Sequence, residues 1–415
     1  MPLMCLERLE KALQESLQNL EQEGRLKGRE MIITDIRKAK GEEGPRYFLK
    51  GREGKPYIRM NSNSYLGLSL RKEMISPGKE ATLQFGTGPG AVRFISGTFQ
   101  AHRKLEQKLA NFHKRDDAII FSSAYTTVLG VLTPLITGET IVISDELNHN
   151  CIINAIRLSR PADKAIYRHL DMGELEEQLK KSIGKGKRIV ILTDGIFSMR
   201  GDYAPLDRIS ELSQRFQKHF AEGVVVVVDD SHGVGCFGAT GRGTEEYTKA
   251  DGVDILIGTL GKAFGVNGGY ATSSQTVITY LRENAPLYIY SNPISPAEAA
   301  EAYHSLEIIE SEEGQAILEH LQSMTKRFEE GLKELGYEII ESDHPIVPLM
   351  VRDTKKTKEL VNFLIENGIL ATGLNFPVVP RGDEEIRFQV NADHTPYDID
   401  TVLEVLRRWK NYSKK

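Results

Sequence analysis

Lys262 occupies an unusual place for a lysine. It lies inside Gly258-Thr259-Leu260-Gly261-Lys262-Ala263-Phe264-Gly265, directly after the apolar run DILI. Glycines let backbone approach a bound group closely. An amine held in such a turn is desolvated, which disfavours its charge and suits it to Schiff-base chemistry. Taken singly, it could equally be a solvated loop lysine. Asp229 and His232 follow a valine run in VVDDSHG. A carboxylate there can hold a proton on a bound group, or cap a helix, or join a metal site whose other ligands the sequence does not assign. His149 in DELNHN is a further imidazole at a strand end, with a core or capping histidine as the plain alternative. Ser123-Ala124-Tyr125-Thr126 spans a strand-to-helix turn, where the amides of Ala124 and Tyr125 are free to bind an anion such as phosphate. The hydroxyls of Thr259 and Ser291 could assist, or could serve as helix caps. Arg387 in EIRFQV has the planar fork that grips a carboxylate, or else makes a strand-surface ion pair. Asn63 in NSNSYLGL carries a carboxamide ahead of the first apolar run.

Most of these groups stand at or just past the end of an apolar run. The runs DAIIFSS, ETIVISD, KAIYRH, RIVILTDG, VVVVVDD and DILIGTL are near-continuously apolar, as parallel strands covered on both faces require. Amphipathic segments such as GELEEQLKKSI and LDRISELSQRFQKHF alternate with them, which predicts a βαβ sheet. Ligands bind outside the carboxyl ends of such strands, so the polar groups converge on one cleft. A helical region is expected from Ser295-Pro296 to about residue 335. After it come strands at YEIIES, PIVPLMV and EIRFQV, a helix from Thr354 to Asn367 and a final helix. Leucines at helical spacing predict an amphipathic helix over residues 1 to about 30, followed by a polar connector. The expected division is therefore residues 1–60 as helix and connector, 61–294 as a large α/β domain and 295–415 as a small α+β domain.

One motif misleads. Gly233-Val234-Gly235-Cys236-Phe237-Gly238 matches GxGxxG after a strand, but a dinucleotide site needs those glycines to open an apolar-periodic helix. The polar stretch ATGRGTEEYTKADG follows instead. With 40% apolar residues, 27% charged residues and a net charge of −5, the chain has no basic field to draw it to nucleic acid or anionic lipid. No apolar run is long enough to span a bilayer, the N-terminus does not read as a signal peptide, and three widely spaced cysteines suit a reducing compartment. A cytoplasmic protein without membrane or nucleic-acid partners is expected.

Taken together and in order, these motifs resemble the α-oxoamine synthase family, whose members use pyridoxal 5'-phosphate (PLP). The resemblance runs from Asn61 to Pro396, and the first sixty residues contribute little to it. It implies the aminotransferase-like fold (fold type I), a mainly parallel α/β domain plus a small C-terminal α+β domain. It also implies a homodimer with shared active sites. Lys262 would carry the cofactor, Asp229 would hold its ring nitrogen protonated, His149 would stack on the ring, and His232 and Ser198 would support it. The amides of Ala124 and Tyr125 and the hydroxyls of Thr259 and Ser291 would hold the phosphate, with Ser291 reaching across to the other subunit. Arg387 and Asn63 would grip the amino-acid carboxylate. The Gly-rich segment Gly86 to Thr98 resembles one near the dimer interface and acyl-CoA entrance. The chain departs from the family pattern at Ala124, Thr127, Asn150, Cys151 and Asp194. The implied reaction is a Claisen-type condensation in which Lys262 removes the Cα proton and the carbanion attacks an acyl-CoA, expelling CoA. Glycine with acetyl-CoA or another short acyl-CoA, giving a 2-amino-3-oxo product, is favoured. Decarboxylative condensation of alanine with a longer acyl-CoA is the alternative. A PLP aminotransferase or lyase needing no CoA, and a non-catalytic or nucleotide-binding protein that retains the fold, are the readings from other classes.

Overall fold

The computed structural model describes residues 3–23, 25–26, 30–376 and 378–412. Each of the six apolar runs forms a strand: β1 (Asp117–Phe121), β2 (Thr140–Asp145), β3 (Asp163–Tyr167), β4 (Arg188–Asp194), β5 (Val224–Asp229) and β6 (Ile255–Thr259). A seventh strand, β7 (Gly269–Ser273), was not expected. The sheet order is β1-β7-β6-β5-β4-β2-β3, with β7 antiparallel to both its neighbours and every other adjacent pair parallel. Gly-Tyr-Ala-Thr-Ser lacks the apolar run that marks a buried strand, yet all five residues are buried between β1 and β6. Gly269 is required there. A Cβ on it would lie 2.5 Å from the backbone nitrogen of Ala124.

Alternation along the strands builds two apolar layers. Ile189, Ile191, Val224, Val226 and Val228 face one side, while Val190, Leu192, Val227, Ile255 and Ile257 face the other. The second side is covered by α1 (Ala124–Leu135), α2 (Asn150–Ser159) and the helix Gln275–Asn284. The helices Gln100–Phe112, Met172–Ser182 and Leu206–Phe216 cover the first.

The C-terminal sheet has β8 (Ile346–Met350), β9 (Thr372–Leu374) and β10 (Glu385–Gln389) in the antiparallel order β8-β10-β9. The YEIIES segment contributes only an isolated bridge, Ile339 to Leu349. The long helical region is two helices, Pro296–Ile309 and Glu312–Glu334. Ser311 starts the second by accepting a hydrogen bond from the Gly314 amide. The expected N-terminal helix spans Leu3–Gln22, and Leu6, Leu9, Leu13 and Leu17 on it are exposed. The connector is tied to the far end of the chain. Ile58–Arg59 pairs in parallel with Ile369–Leu370, and buried Arg46 donates to Asp398 at 2.6 Å. No described helix is long and apolar enough to cross a membrane.

One ion cluster gives the fold a pH dependence. His169, after β3, contacts Asp145 of β2 at 3.1 Å and Asp202 at 3.2 Å. Burial alone would lower its pKa, but the hydrogen bonds and charges of the two aspartates raise it to about 9. A pKa raised on folding stabilises fully below the unfolded value of about 6.5 and is lost as pH rises through 9. The wild-type protein should therefore exceed His169→Gln in unfolding free energy by up to about 3 kcal/mol near pH 6. That margin should shrink toward pH 10. Urea unfolding at several pH values checks it, and a constant margin would remove the histidine charge as the cause.

Candidate active site

The carboxyl ends of the parallel strands meet at one cavity. Ala124, Tyr125, His149, Ser198, Asp229, His232 and Lys262 all line it, together with Cys151, Asp194, Ile196 and Ser231. Strand register explains part of this. Asp194 ends β4 directly beside Asp229 at the end of β5, and Lys262 lies three residues past β6. Thr259, Ser291, Arg387 and Asn63 are not among its lining residues.

The anion seat follows from helix geometry. In α1 the first backbone bond runs from the Thr127 amide to Ser123 O, and the Thr126 amide is taken by the Ser123 hydroxyl. The amides of Ala124 and Tyr125 are the ones such a helix start leaves over. Thr127 is fully buried and returns its hydroxyl to Ser123 O, so it is a packing residue. The Thr259 hydroxyl bonds Gly261 N and Gly268 O, bracing the turn that carries Lys262. Ser291 stands in the loop after Pro286–Ile289 and does not line the cavity.

Two imidazoles are oriented by partners that sequence reasoning did not find. His149 caps α2; its backbone N–H donates to Asp194, and its Nδ1 accepts from Cys151 N at 3.3 Å. Burial lowers its pKa against the pull of Asp229, and the neutral ring therefore carries its proton on Nε2. His232 contacts the Tyr65 hydroxyl through Nδ1 at 2.7 Å, and burial pushes its pKa well down. Tyr65 lies 167 residues away in sequence, and only its place between Asn63 and Leu66 hinted at it.

The carboxylates divide by environment. Asp229 accepts from the Ser231 amide at 3.1 Å. Burial, then the charge of Asp229, push Asp194 well above the carboxylate range. Asp230 is structural: it accepts the Thr244 amide and hydroxyl at 2.6 and 2.7 Å. Burial lowers the Lys262 pKa to about 8, with Asp229 opposing the shift. A usable fraction of its amine is thus uncharged near neutral pH.

Arg387 reaches the site from β10 and donates through Nε to Ser198 O, while its buried Nη2 has no partner. Glu385 and Gln389 share its strand face, and Gln389 holds the Asn63 carboxamide at 2.6 Å. The Ser231 hydroxyl at the cavity is also buried without a partner. Unpaired buried donors beside free helix amides, a carboxylate and a desolvated amine fit a phosphorylated aromatic aldehyde and an amino-acid carboxylate. The GxGxxG segment does something else. Gly233 to Gly241 forms turns, the first helix is the short Thr244–Thr248, and Gly235 at φ +91° packs against Ala263 beside Lys262.

The sequence matches the family described as aminotransferase class I and II over residues 55–406. It is 41% identical to 8-amino-7-oxononanoate synthase 1 of Bacillus velezensis, covering 88% of this chain and 90% of that one. The chain belongs to the PLP-dependent α-oxoamine synthases. It is also 39% identical to the mitochondrial 2-amino-3-ketobutyrate coenzyme A ligase of Bos taurus, over 96% of this chain and 92% of that one. That α-oxoamine synthase match takes in much of the first sixty residues, which carried little of the resemblance read from motifs. A serine palmitoyltransferase from S. paucimobilis, solved with a bound PLP–myriocin aldimine, superposes with a TM-score of 0.85 at 25% identity, covering 97% of each chain. The synthase fold is thus fold type I, and the protein is a PLP-dependent enzyme.

Proposed function

We propose that this enzyme joins a small amino acid to an acyl-CoA thioester, releasing CoA and a 2-amino-3-oxo product, with glycine and acetyl-CoA favoured. The observation that carries this reading is the convergence of Lys262, Asp229 and His149 on one cavity, with the Arg387 guanidinium tied to Ser198 of its lining and one nitrogen unpartnered. When bound, PLP supplies an electron sink for the charge left as a proton leaves the amino-acid Cα. Asp229 would keep its ring nitrogen protonated, and His149, His232 and Ser198 would hold the ring. The Ala124 and Tyr125 amides would hold its phosphate, the Thr259 hydroxyl would join them by turning from Gly268 O, and Ser291 would come from a second copy of the chain. Arg387 and Asn63 fix the amino-acid carboxylate. Lys262 Nζ, part-neutral at pH 7–8, takes up the Cα proton.

A homodimer is part of this proposal. Phe94, Ile95 and Tyr290 are 63%, 65% and 77% exposed, on the Gly-rich segment and the loop carrying Ser291. Arg93 lies over the Tyr288 ring and links the two, so the apolar surface is local enough to be an interface. In this reading residues 61–294 form the cofactor-binding domain, 295–415 the domain that brings Arg387, and 1–60 the flanking arm. The described cysteines, Cys151 and Cys236, are free and buried, which suits a cytoplasmic setting. The second reading is an 8-amino-7-oxononanoate synthase-like condensation of alanine with a longer acyl-CoA, favoured by the Bacillus velezensis relative.

Free-thiol release across acyl-CoA lengths, with glycine, alanine and serine in turn, separates the two. An apolar pocket discriminates by about 1–3 kcal/mol per methylene, so the preference should be graded, with its optimum at glycine and short chains. A clear optimum at alanine with long chains would replace the first reading by the second. Amino-group transfer without thiol release would replace both.

A further inference from the structure

Cys151 sits in the first turn of α2, buried, with its sulfur 2.9 Å from His149 Nδ1 and 3.6 Å from Asp229 Oδ2. The Cys151 backbone amide already donates to Nδ1, so the thiol proton is free for the carboxylate. Asp229 is then held at both oxygens, by the Ser231 amide on Oδ1 and the thiol on Oδ2. The unpartnered, buried hydroxyl of Ser231 faces the same cavity.

We propose that the Cys151 thiol is a positioning residue that sets the Asp229 carboxylate for the bound cofactor. The proposal rests on the PLP site described above. Burial, then the charges of Asp229 and Asp194, keep the thiol protonated, so it acts as a donor and not as a nucleophile. The same side chain also packs among Val128, Val131 and Ile152, which offers a purely space-filling alternative.

Substitution separates the two roles. Serine keeps a donor and loses some bulk, whereas valine keeps the bulk and loses the donor. PLP retention by the holoenzyme, read from visible absorbance on dilution, should weaken about five- to tenfold in Cys151→Val and Cys151→Ala, as for loss of one ordinary hydrogen bond, the thiol being a weak donor. Cys151→Ser should stay within about twofold of wild type. Apoenzyme melting temperatures control for packing. In an Asp229→Asn background the serine–valine difference should vanish, since its target is gone. Wild-type retention in Cys151→Val, serine no better than valine, or a difference that survives Asp229→Asn would each overturn the role of Cys151 while leaving the site intact. A wild-type chain that takes up no PLP would overturn the underlying site and this role with it.

Discussion

Borohydride reduction of the wild-type protein should fix PLP to Lys262, and Lys262→Ala should show no covalent label while its turnover falls. Loss of a positioned acid–base group alone lowers rates about 10²- to 10⁴-fold, and this amine also makes the covalent bond. The upper end of that range, or more, is therefore expected. The physical basis is the low pKa of about 8, which burial imposes and Asp229 only partly reverses. Peptide mapping after reduction is the direct measurement. A label on any other lysine would displace Lys262 from the centre of the site. PLP can still be held noncovalently in the variant, because the Ala124 and Tyr125 amides do not depend on the lysine.

Asp229→Asn should retain the fold and lower the rate of glycine Cα-proton exchange about 10²- to 10³-fold, the size found when one preorganised electrostatic group is removed. Asparagine keeps the shape and can still accept the Ser231 amide, but carries no charge to hold a ring proton. The neighbouring Asp194 does not substitute, since burial, the largest cause of its raised pKa, persists when the Asp229 charge is removed. Exchange in heavy water, followed by proton NMR on equal amounts of PLP-loaded enzyme, makes the test. Exchange near the wild-type rate would mean that the ring lies elsewhere in the cavity.

The parts of this site that were legible share a local signal. Lys262, Asp229, His149, Ser198 and Ala124-Tyr125 each follow an apolar run, and apolar runs buried on both faces are detectable because every residue in them must be hydrophobic. Strand β7 failed that test. Its five residues are small or polar, Tyr270 finds a partner in His113 at 2.8 Å, and burial comes from the two strands beside it. The break between Ile309 and Glu312 was hidden for a related reason. Ser-Glu-Glu reads as helix interior or as cap, and close packing of Gly314 against Ile308 O decides it.

Sequence alone determined the type and order of the reactive groups. Side-chain chemistry is local, and strand ends are marked within about ten residues of the groups they carry. It also determined that Gly233-Val234-Gly235 opens no nucleotide-binding helix, because the residues that would form one are polar. Tertiary structure alone decided which atoms remain available. The Tyr65–His232 contact spans 167 residues, Cys151 to Asp229 spans 78, and Gln389 to Asn63 spans 326. No short-range pattern encodes such pairs, since hydrogen bonds depend on positions set by the whole packed sheet. The same packing holds Arg387 against Ser198 and leaves one guanidinium nitrogen unpaired. In a buried site an unsatisfied donor costs free energy until a ligand meets it, which is why that nitrogen is the proposed seat of the substrate carboxylate.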